Sequence, residues 1–580
     1  MKRTEYQAMS MFVDWMFTPR DDRGFYLADD AGGWQRFTYR EIATASGQVA
    51  AEYRAAGVQT GDVVCLTVPT TYDSLISLFG VWLAGATICP LPEPSFQSDQ
   101  DYIDHIGEVL RRAEPAVIVT SAEIAPVMGK AMAQAGLPGS PMVVNSQAAG
   151  VAELPAPPDR LAEIALLQFT SGSTGNPQGV RVSWDNLAAN FAVLRRWTDW
   201  RDGEGGASWL PLYHDMGLIG CLLPAVATQS DLWLMRPLQF IRDPGRWLSC
   251  FGGGKARHAA SPSFAFAYLA RRITPGRLVN FDLSAWRSVI VGAEVVDPLA
   301  LAAFARFAAP TGFAPTAFVP AYGLAENTLG VSSPGSGHEM LLVRPDWASM
   351  QVGEPVQVLE RARFSTDWAT HETNATGWLV GHGSPGPDDG IAVQVIDEDG
   401  APLPAGHLGE ITVTGSSVAL GYHGQHPDRT TRFADGVLRT GDAGFFHAGE
   451  LFVVGRMGDS LKLRGRNIYV EDLDAKVAEA AQLNRDRVAV VSSMHEGRAG
   501  LVVFAEARPG PWTEKVTERL RGELGPEPHI TIVTGRRGMI RRTSSGKPRR
   551  RQMWQLFSTG GLKAVVVIDT AAEHGSGSMS

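Results

Sequence analysis

Cysteine is scarce in this chain. Its four cysteines among 580 residues, Cys65, Cys89, Cys221 and Cys250, lie far apart with no Cys-x-x-Cys spacing. Neither a disulfide framework nor a zinc site is suggested, and buried free thiols in a reducing compartment are expected instead. Long apolar runs are missing as well: no stretch approaches the length that crosses a bilayer, and Met1 to Gln7 lacks the apolar core of a signal peptide. These absences predict a cytoplasmic protein with no membrane span. Positive charge is not in excess either. A net charge of -9 argues against binding nucleic acid through phosphate neutralisation, although local basic patches remain open, and no nucleic-acid motif or internal repeat is visible.

A chain this long can hold one large body and a smaller partner. Thr38 and Glu41 make a capping-box pattern, and the Ala-rich stretch behind them predicts a helix to Ala56, stopped at Gly57. A β-like run at 63–68, a helical stretch at 72–84 and another apolar run at 117–120 give the strand-helix alternation of a layered α/β body with a substantially parallel sheet. A Pro/Ala-rich connector at 148–159 interrupts it. From 391 to 455 the pattern becomes short alternating runs between tight turns, which predicts a small antiparallel β subdomain. Beyond a boundary near 456–465, two helical stretches (468–481, 513–524) and three strands (487–492, 501–506, 530–534) predict a compact α+β unit. The expected organisation is therefore α/β: a large N-terminal body over 1–455, a hinge region at 456–465, and a small mobile C-terminal domain over 466–580 whose tail is disordered.

The chemistry gathers first at Leu167 to Val180, where an apolar run meets a loop of hydroxyls and glycines. Thr170, Ser171, Ser173 and Thr174 can follow phosphate oxygens, while Gly172, Gly175 and Gly179 free the backbone. The loop is not the P-loop of kinases, because Gln178 and Gly179 stand where Lys and Ser or Thr are needed; read alone, it equally describes a flexible Ser/Gly turn. Helical spacing from Trp184 to Trp197 suggests that the loop feeds a helix whose N-terminal dipole favours anions. Trp209 to Gly220 crowds polar side chains, His214 among them, into an apolar setting, where a lone histidine is more often structural. Gly292, Ala293 and Glu294 follow a strand-like run, and Tyr322, Gly323 and Glu326 form a second turn ending in a carboxylate. In α/β sheets ligands bind at strand ends, so these two turns and the hydroxyl loop begin to describe one site.

These segments, in this order, resemble the adenylate-forming superfamily of acyl-CoA synthetases, luciferases and nonribosomal peptide adenylation domains. Within it the chain is most similar to the fatty acyl-AMP ligase branch. The wording at 213–220, 322–327 and 464–467 carries that resemblance, as does the long stretch between Glu326 and Val393, where the branch has an insertion that braces the small domain against CoA use. About seven separated motifs occur in order between Phe37 and Phe557, which makes the likeness specific.

The resemblance implies a two-step reaction. A carboxylic acid attacks the α-phosphate of Mg-ATP to give acyl-AMP and pyrophosphate; the acyl group then passes to a thiol, normally the phosphopantetheine of an acyl carrier protein. No Asp-Ser-Leu carrier signature occurs in the chain, so the carrier would be supplied in trans. By motif position, Thr170, Ser171, Gly172, Ser173, Thr174 and Gly175 would hold phosphates. Gly292, Ala293 and Glu294 would line the adenine side, with Tyr322 stacking on the base beside Gly323. Glu326 would ligate Mg²⁺, Asp442 would accept the ribose hydroxyls, and Arg456 would add a ribose or phosphate contact. Lys547 would bridge carboxylate and α-phosphate, and His214 joins Lys547 and Glu326 as a catalytic candidate.

Met216, Leu218, Ile219 and Phe264 are the expected acyl-chain residues, and with no acidic residue placed for a substrate amine, a fatty or other apolar acid is expected. Two departures stand out: Gln178 replaces the usual loop lysine, and Gly458, beside Asp459, replaces a charged hinge residue. Seven arginines between Arg536 and Arg551 suggest either a docking face for an acidic carrier or a solvated basic surface.

Overall fold

The computed structural model describes residues 10–94, 99–144, 153–170, 177–347, 350–368, 377–386, 388–424, 431–434, 436–457, 460–463, 466–495, 498–525, 528–542, 548–562 and 565–570. The architecture is α/β, as the alternation predicts.

Helix Tyr39–Ala55 starts where its capping box places it. Thr38 Oγ1 accepts the Glu41 N–H at 3.1 Å, and the Glu41 carboxylate accepts the Thr38 N–H at 2.7 Å. Its apolar face, with Ile42, Val49 and Tyr53, is buried against helix Tyr72–Leu83 in one core cluster. Both helices cover a six-stranded sheet ordered Met142–Val143, Val117–Thr120, Val63–Thr67, Thr87–Leu91, Ile164–Thr170, Gln178–Ser183. The first five strands run parallel; the last is antiparallel to its neighbour. Alternate residues serve opposite faces: Val64 and Leu66 pack under the two helices, whereas Cys65 and Cys89 pack under helix Asp99–Ala113 with Ile106 and Leu110. Covered on both faces, these strands read as continuous apolar runs.

A seven-stranded sheet carries the second half of the body. Its order is Phe318–Pro320, Ser288–Val291, Ala256–Ser261, Gly205–Ser208, Leu232–Leu234, Gly24–Ala28, Trp34–Thr38, parallel except for the final hairpin. Residues Ile391–Arg456 hold the antiparallel sheet: Ile391–Ile396, Gly409–Gly415 and Val437–His447 pair in sequence, with Arg432–Ala434 and Glu450–Arg456 both added to Val437–His447. The long stretch after Glu326 forms a three-stranded sheet of Leu341–Pro345, Val358–Arg363 and Leu379–Val380. Its Leu341, Val343 and Leu379 share a core with Phe445, Phe452 and Val454, and Met457 packs at its edge. This three-stranded unit thus packs on the antiparallel sheet of the large body, with Met457, inside the expected hinge region, at its edge.

The C-terminal unit is a four-stranded sheet, Val488–His495, Arg498–Ala505, His529–Thr534, Val566–Thr570. Val488 and Val490 face helices Val470–Ala481 and Trp512–Leu524; Ala489 and Val491 face helix Arg550–Ser558. Sequence reading gave one helix from 468, but Arg466–Tyr469 is a strand paired with Ser460–Leu463 and the helix begins at Val470. Among the described residues no helix is long and apolar enough to cross a membrane, and all four cysteines are free and buried.

Candidate active site

The hydroxyl loop does not feed a helix, contrary to expectation. It joins two antiparallel strands whose register pairs Thr170 with Gln178, and helix Trp184–Thr198 starts only after strand Gln178–Ser183, capped by its own Ser183 and Asn186. The helix N-terminus therefore lies at the far end of that strand from the loop. Ser171, Gly172, Ser173, Thr174 and Gly175 lie outside the described residues, as do Gly458, Asp459 and Lys547. Gln178 is buried within its strand.

Backbone pairing draws a distant segment to this hairpin. Arg181 N donates to Gly421 O and Leu420 N to Arg181 O, both at 2.9 Å, and His423 N donates to Gly179 O at 2.7 Å. Ala419 N in turn donates to Glu326 O at 2.9 Å. The result places Tyr422 against Glu326: the Tyr422 hydroxyl donates to Glu326 Oε1 at 2.6 Å. Sequence reading missed Tyr422, because it sits in an irregular stretch whose partners are remote in sequence.

Glu326 is buried in a short turn, Ala325–Asn327, closed by a strained residue. Thr328 takes φ 66° and ψ −57°, and Leu329 N reaches back to Asn327 O at 2.7 Å. A β-branched residue at positive φ is a genuine outlier, and such strain clusters at functional sites. Ser417 O accepts the Thr328 hydroxyl at 2.7 Å, and Asn190 holds the turn's flank through Gly330.

Asp442 is the residue expected by motif position to accept the ribose hydroxyls. It lies inside strand Val437–His447, in register with Arg456 on the neighbouring strand. Arg456 Nε sits 3.0 Å from Asp442 Oδ1, and the Tyr322 hydroxyl donates to Asp442 Oδ2 at 2.6 Å. Arg456 Nη1 also donates to Thr431 Oγ1 and Thr440 O, each at 2.7 Å. Asp442, and less strongly Glu326, raise the Arg456 guanidinium above its ordinary range despite the opposing effect of burial. Burial, with the Asp442 charge, pushes the Tyr322 phenol well up, so it stays a hydrogen-bond donor. Tyr322, Glu326, Tyr422, Asp442 and Arg456 therefore form one cluster of two carboxylates, two phenols and one guanidinium.

The adenine-side candidates meet at the C-terminal edge of the seven-stranded sheet. Ser288–Val291 and Phe318–Pro320 pair with Val291 opposite Pro320, and Ala321 N donates to Val291 O at 2.9 Å. Gly292 to Glu294 and Tyr322 to Gly323 thus leave adjacent strand ends. A Cβ on Gly292 would meet Ala321 O at 2.8 Å, so only glycine fits there. Ala293 takes φ 65°, a second strained position. Glu294 Oε1 accepts the Ser263 hydroxyl at 2.6 Å and the Phe264 N–H at 3.3 Å; burial pushes its carboxyl up from the ordinary range.

The remaining candidates divide. His214 caps the turn Asp215–Gly217: its Nδ1 lies 3.3 Å from Met216 N and 2.7 Å from Asp215 Oδ1. Gln168 donates to Tyr213 O at 2.9 Å, which ties this turn to the hairpin strand. The four acyl-chain candidates do not form one wall. Leu218 and Ile219 are packed in the core under helix Tyr39–Ala55, whereas Met216 joins the core of Trp209 and Phe240, and Phe264 sits edge-on to Trp209 at 6.0 Å. The wide turn Leu218–Leu222 rotates these neighbours onto different faces. The C-terminal arginines are only partly available: Arg550 pairs with buried Asp474 at 2.5 Å, Arg542 donates to Asp486 O, and Arg537 lies 3.6 Å from the Asp486 carboxylate.

Mg²⁺ fits this constellation in one specific way. Among the described residues no group of three or more His, Cys, Asp or Glu could cage a metal. Glu326 offers a single buried carboxylate, which suits an ion held mostly by phosphate oxygens and water.

Comparison with known proteins agrees with the geometry. A family profile described as AMP-binding enzyme matches residues 18–423. A Caulobacter vibrioides protein that carries an acyl-CoA synthetase name is 33% identical over 87% of each chain. A long-chain-fatty-acid–AMP ligase of Mycobacterium tuberculosis is 30% identical over 93% of this chain and 95% of its own. Among solved structures, one from a study of fatty acyl-adenylate ligases of E. coli and L. pneumophila superposes with a TM-score of 0.78 at 24% identity, covering 96% of this chain and 98% of the other.

Proposed function

The chain belongs to the AMP-binding enzyme family, and from that premise we propose that it is a fatty acyl-AMP ligase whose active site is the Tyr322, Glu326, Tyr422, Asp442, Arg456 cluster. It activates a fatty or other apolar carboxylic acid with ATP. The bond from carboxylate oxygen to the α-phosphorus forms as the bond to the bridging oxygen breaks, and pyrophosphate leaves. The phosphopantetheine thiolate of a separate carrier protein, its proton lost to solvent, then attacks the acyl carbonyl carbon; the C–S bond of the thioester forms, the C–O bond to the phosphate breaks, and AMP leaves.

The observation that carries this reading is that Asp442, paired with Arg456, accepts the Tyr322 hydroxyl of the strand-end turn, with the Glu326 charge near enough to raise the Arg456 guanidinium. Attack of one anion on another is slow in water, so the protein must act by positioning and by charge placed where negative charge accumulates. Arg456, held firmly protonated, supplies such charge. Asp442 offers acceptor lone pairs to ribose hydroxyls while Tyr322 and Arg456 fix its plane. Glu326, oriented by Tyr422, would hold Mg²⁺, which when bound neutralises phosphate oxygens. Gly292 and Ala293 leave the adenine side open to close backbone approach. Lys547 joins by motif position, as the cation for the α-phosphate in the first step. Gly458 and Asp459 are the proposed hinge between the two half-reactions, at the boundary of a body ending near 455 and a C-terminal unit beginning near 466. A cytoplasmic location is part of the proposal and is supported by four free, buried thiols.

ATP/pyrophosphate exchange with a panel of carboxylic acids tests the reading. Exchange that depends on long apolar acids is expected; exchange absent with every acid would leave a nucleotide-binding homologue without chemistry. Comparing holo-carrier with CoA as acceptor separates this enzyme from an acyl-CoA ligase.

A further inference from the structure

Helix Pro237–Arg242 buries Gln239 and Phe240 and turns Leu238 and Ile241 outward on one face, 48% and 46% exposed. Phe264 opens the neighbouring helix Phe264–Arg272 and is 46% exposed, with Tyr268 one turn further along the same face. The Tyr268 hydroxyl donates to Ile241 O at 2.6 Å, which joins the two faces into one apolar strip. Arg242, Arg271 and Arg272 are exposed around it. The Arg272 guanidinium lies 5.9 Å over the Tyr268 ring, and Arg271 donates to Asn484 Oδ1 at 2.8 Å. The strip therefore reaches from the candidate site, where Phe264 N meets Glu294, to the C-terminal unit.

We propose that this strip is the docking face for the carrier protein, a partner that presents an apolar knob ringed by acidic side chains. The inference rests on the carrier-transfer reading above. Charge complementarity supports it: a chain of net charge -9 gathers three exposed arginines around its strip of exposed apolar side chains. Position supports it too, since the thiol that accepts the acyl group must reach the acyl-AMP from a face that borders the site and touches both halves of the chain. The arginines near Lys547 suit the task less well, because Arg550 and Arg542 are tied to Asp474 and to the Asp486 carbonyl.

The test uses the full chain with Arg242→Glu, Arg272→Glu and Ile241→Ser. Three readouts are needed: acid-dependent ATP/pyrophosphate exchange, acyl transfer to a panel of phosphopantetheinylated carrier domains, and transfer to free pantetheine. Exchange and pantetheine transfer should stay at the wild-type level. Transfer to carrier should fall about tenfold or more in kcat/KM for each charge reversal at low salt. That loss should shrink as salt screens the arginines, while the Ile241→Ser loss persists. Unchanged carrier transfer would overturn the docking face. An equal loss with pantetheine would overturn it as well, by assigning the strip to the acyl path. Loss of binding to vesicles of anionic phospholipid with carrier transfer intact would make the strip a lipid-facing surface and refute the proposal. If the wild type makes acyl-AMP and passes it to none of the carriers, the transfer reading itself falls, and the docking face with it.

Discussion

Replacing Tyr322 by Phe removes one hydroxyl and leaves the ring in place. That hydroxyl donates at 2.6 Å to Asp442 Oδ2, with both residues buried, and it helps to join the adenine-side turn to the antiparallel sheet. A hydrogen bond to a charged group contributes about 1.5–3 kcal/mol, and an acceptor left buried without its donor adds a desolvation cost. Arg456 remains 3.0 Å from the other carboxylate oxygen, so the carboxylate stays paired and the loss sits near the lower end, about 1.5–2 kcal/mol. Urea unfolding of wild type, Tyr322→Phe, Asp442→Asn and the double variant forms a cycle whose coupling energy should be about 1.5 kcal/mol. ATP/pyrophosphate exchange on the same proteins should show a KM for ATP raised about tenfold by Tyr322→Phe, because the substitution mispositions Asp442, the proposed ribose ligand. Additive effects, with coupling below about 0.5 kcal/mol, would show that the contact does not position Asp442 and would refute the reasoning.

Other expectations follow from the same geometry. Glu326→Gln should raise the Mg²⁺ concentration for half-maximal exchange about tenfold or more, with Tyr422→Phe giving a smaller shift in the same direction, as titration of Mg²⁺ at fixed ATP will show. Glu204 lies in a separate, partly exposed network: burial opposes its ionisation, but hydrogen bonds from His258 at 3.0 Å, Arg201 N at 3.1 Å and Arg287 at 2.7 Å hold its carboxyl down to about 2. A carboxyl lowered on folding stabilises above its unfolded pKa near 4.5, and that contribution is lost as pH falls toward 2. Glu204→Gln should therefore cost about 1–2 kcal/mol at pH 7, after allowing for its partial exposure, and flatten the acid limb of a stability profile while leaving exchange intact.

Periodic segments and ordered motifs were legible in the sequence; long-range pairing was not. The Thr38 and Glu41 cap and the strand at 63–67 follow from local chemistry, and the motif positions Tyr322, Glu326, Asp442 and Arg456 do meet in space. Strand Val437–His447 was missed because Gly441, Asp442 and Gly444 are poor strand residues on their own, tolerated here by pairing on both sides. Helix Arg550–Ser558 was hidden in a basic run whose Met553 is buried only because a sheet lies under it. The hydroxyl loop misled for a related reason: helical spacing at 184–197 is real, but Gln178–Ser183 intervenes as a strand held by partners distant in the sequence. Tyr422 had no local signal at all, since its place is set by backbone bonds to the hairpin.

The claim beneath all of this is that an apolar acid is joined to AMP with the Lys547 amine neutralising the crowded oxygens. Acid-dependent ATP/pyrophosphate exchange by the wild type and by Lys547→Ala measures it directly. The account predicts robust exchange with long apolar acids and a fall of at least about a hundredfold without the amine. Undiminished, acid-dependent exchange by Lys547→Ala would contradict it.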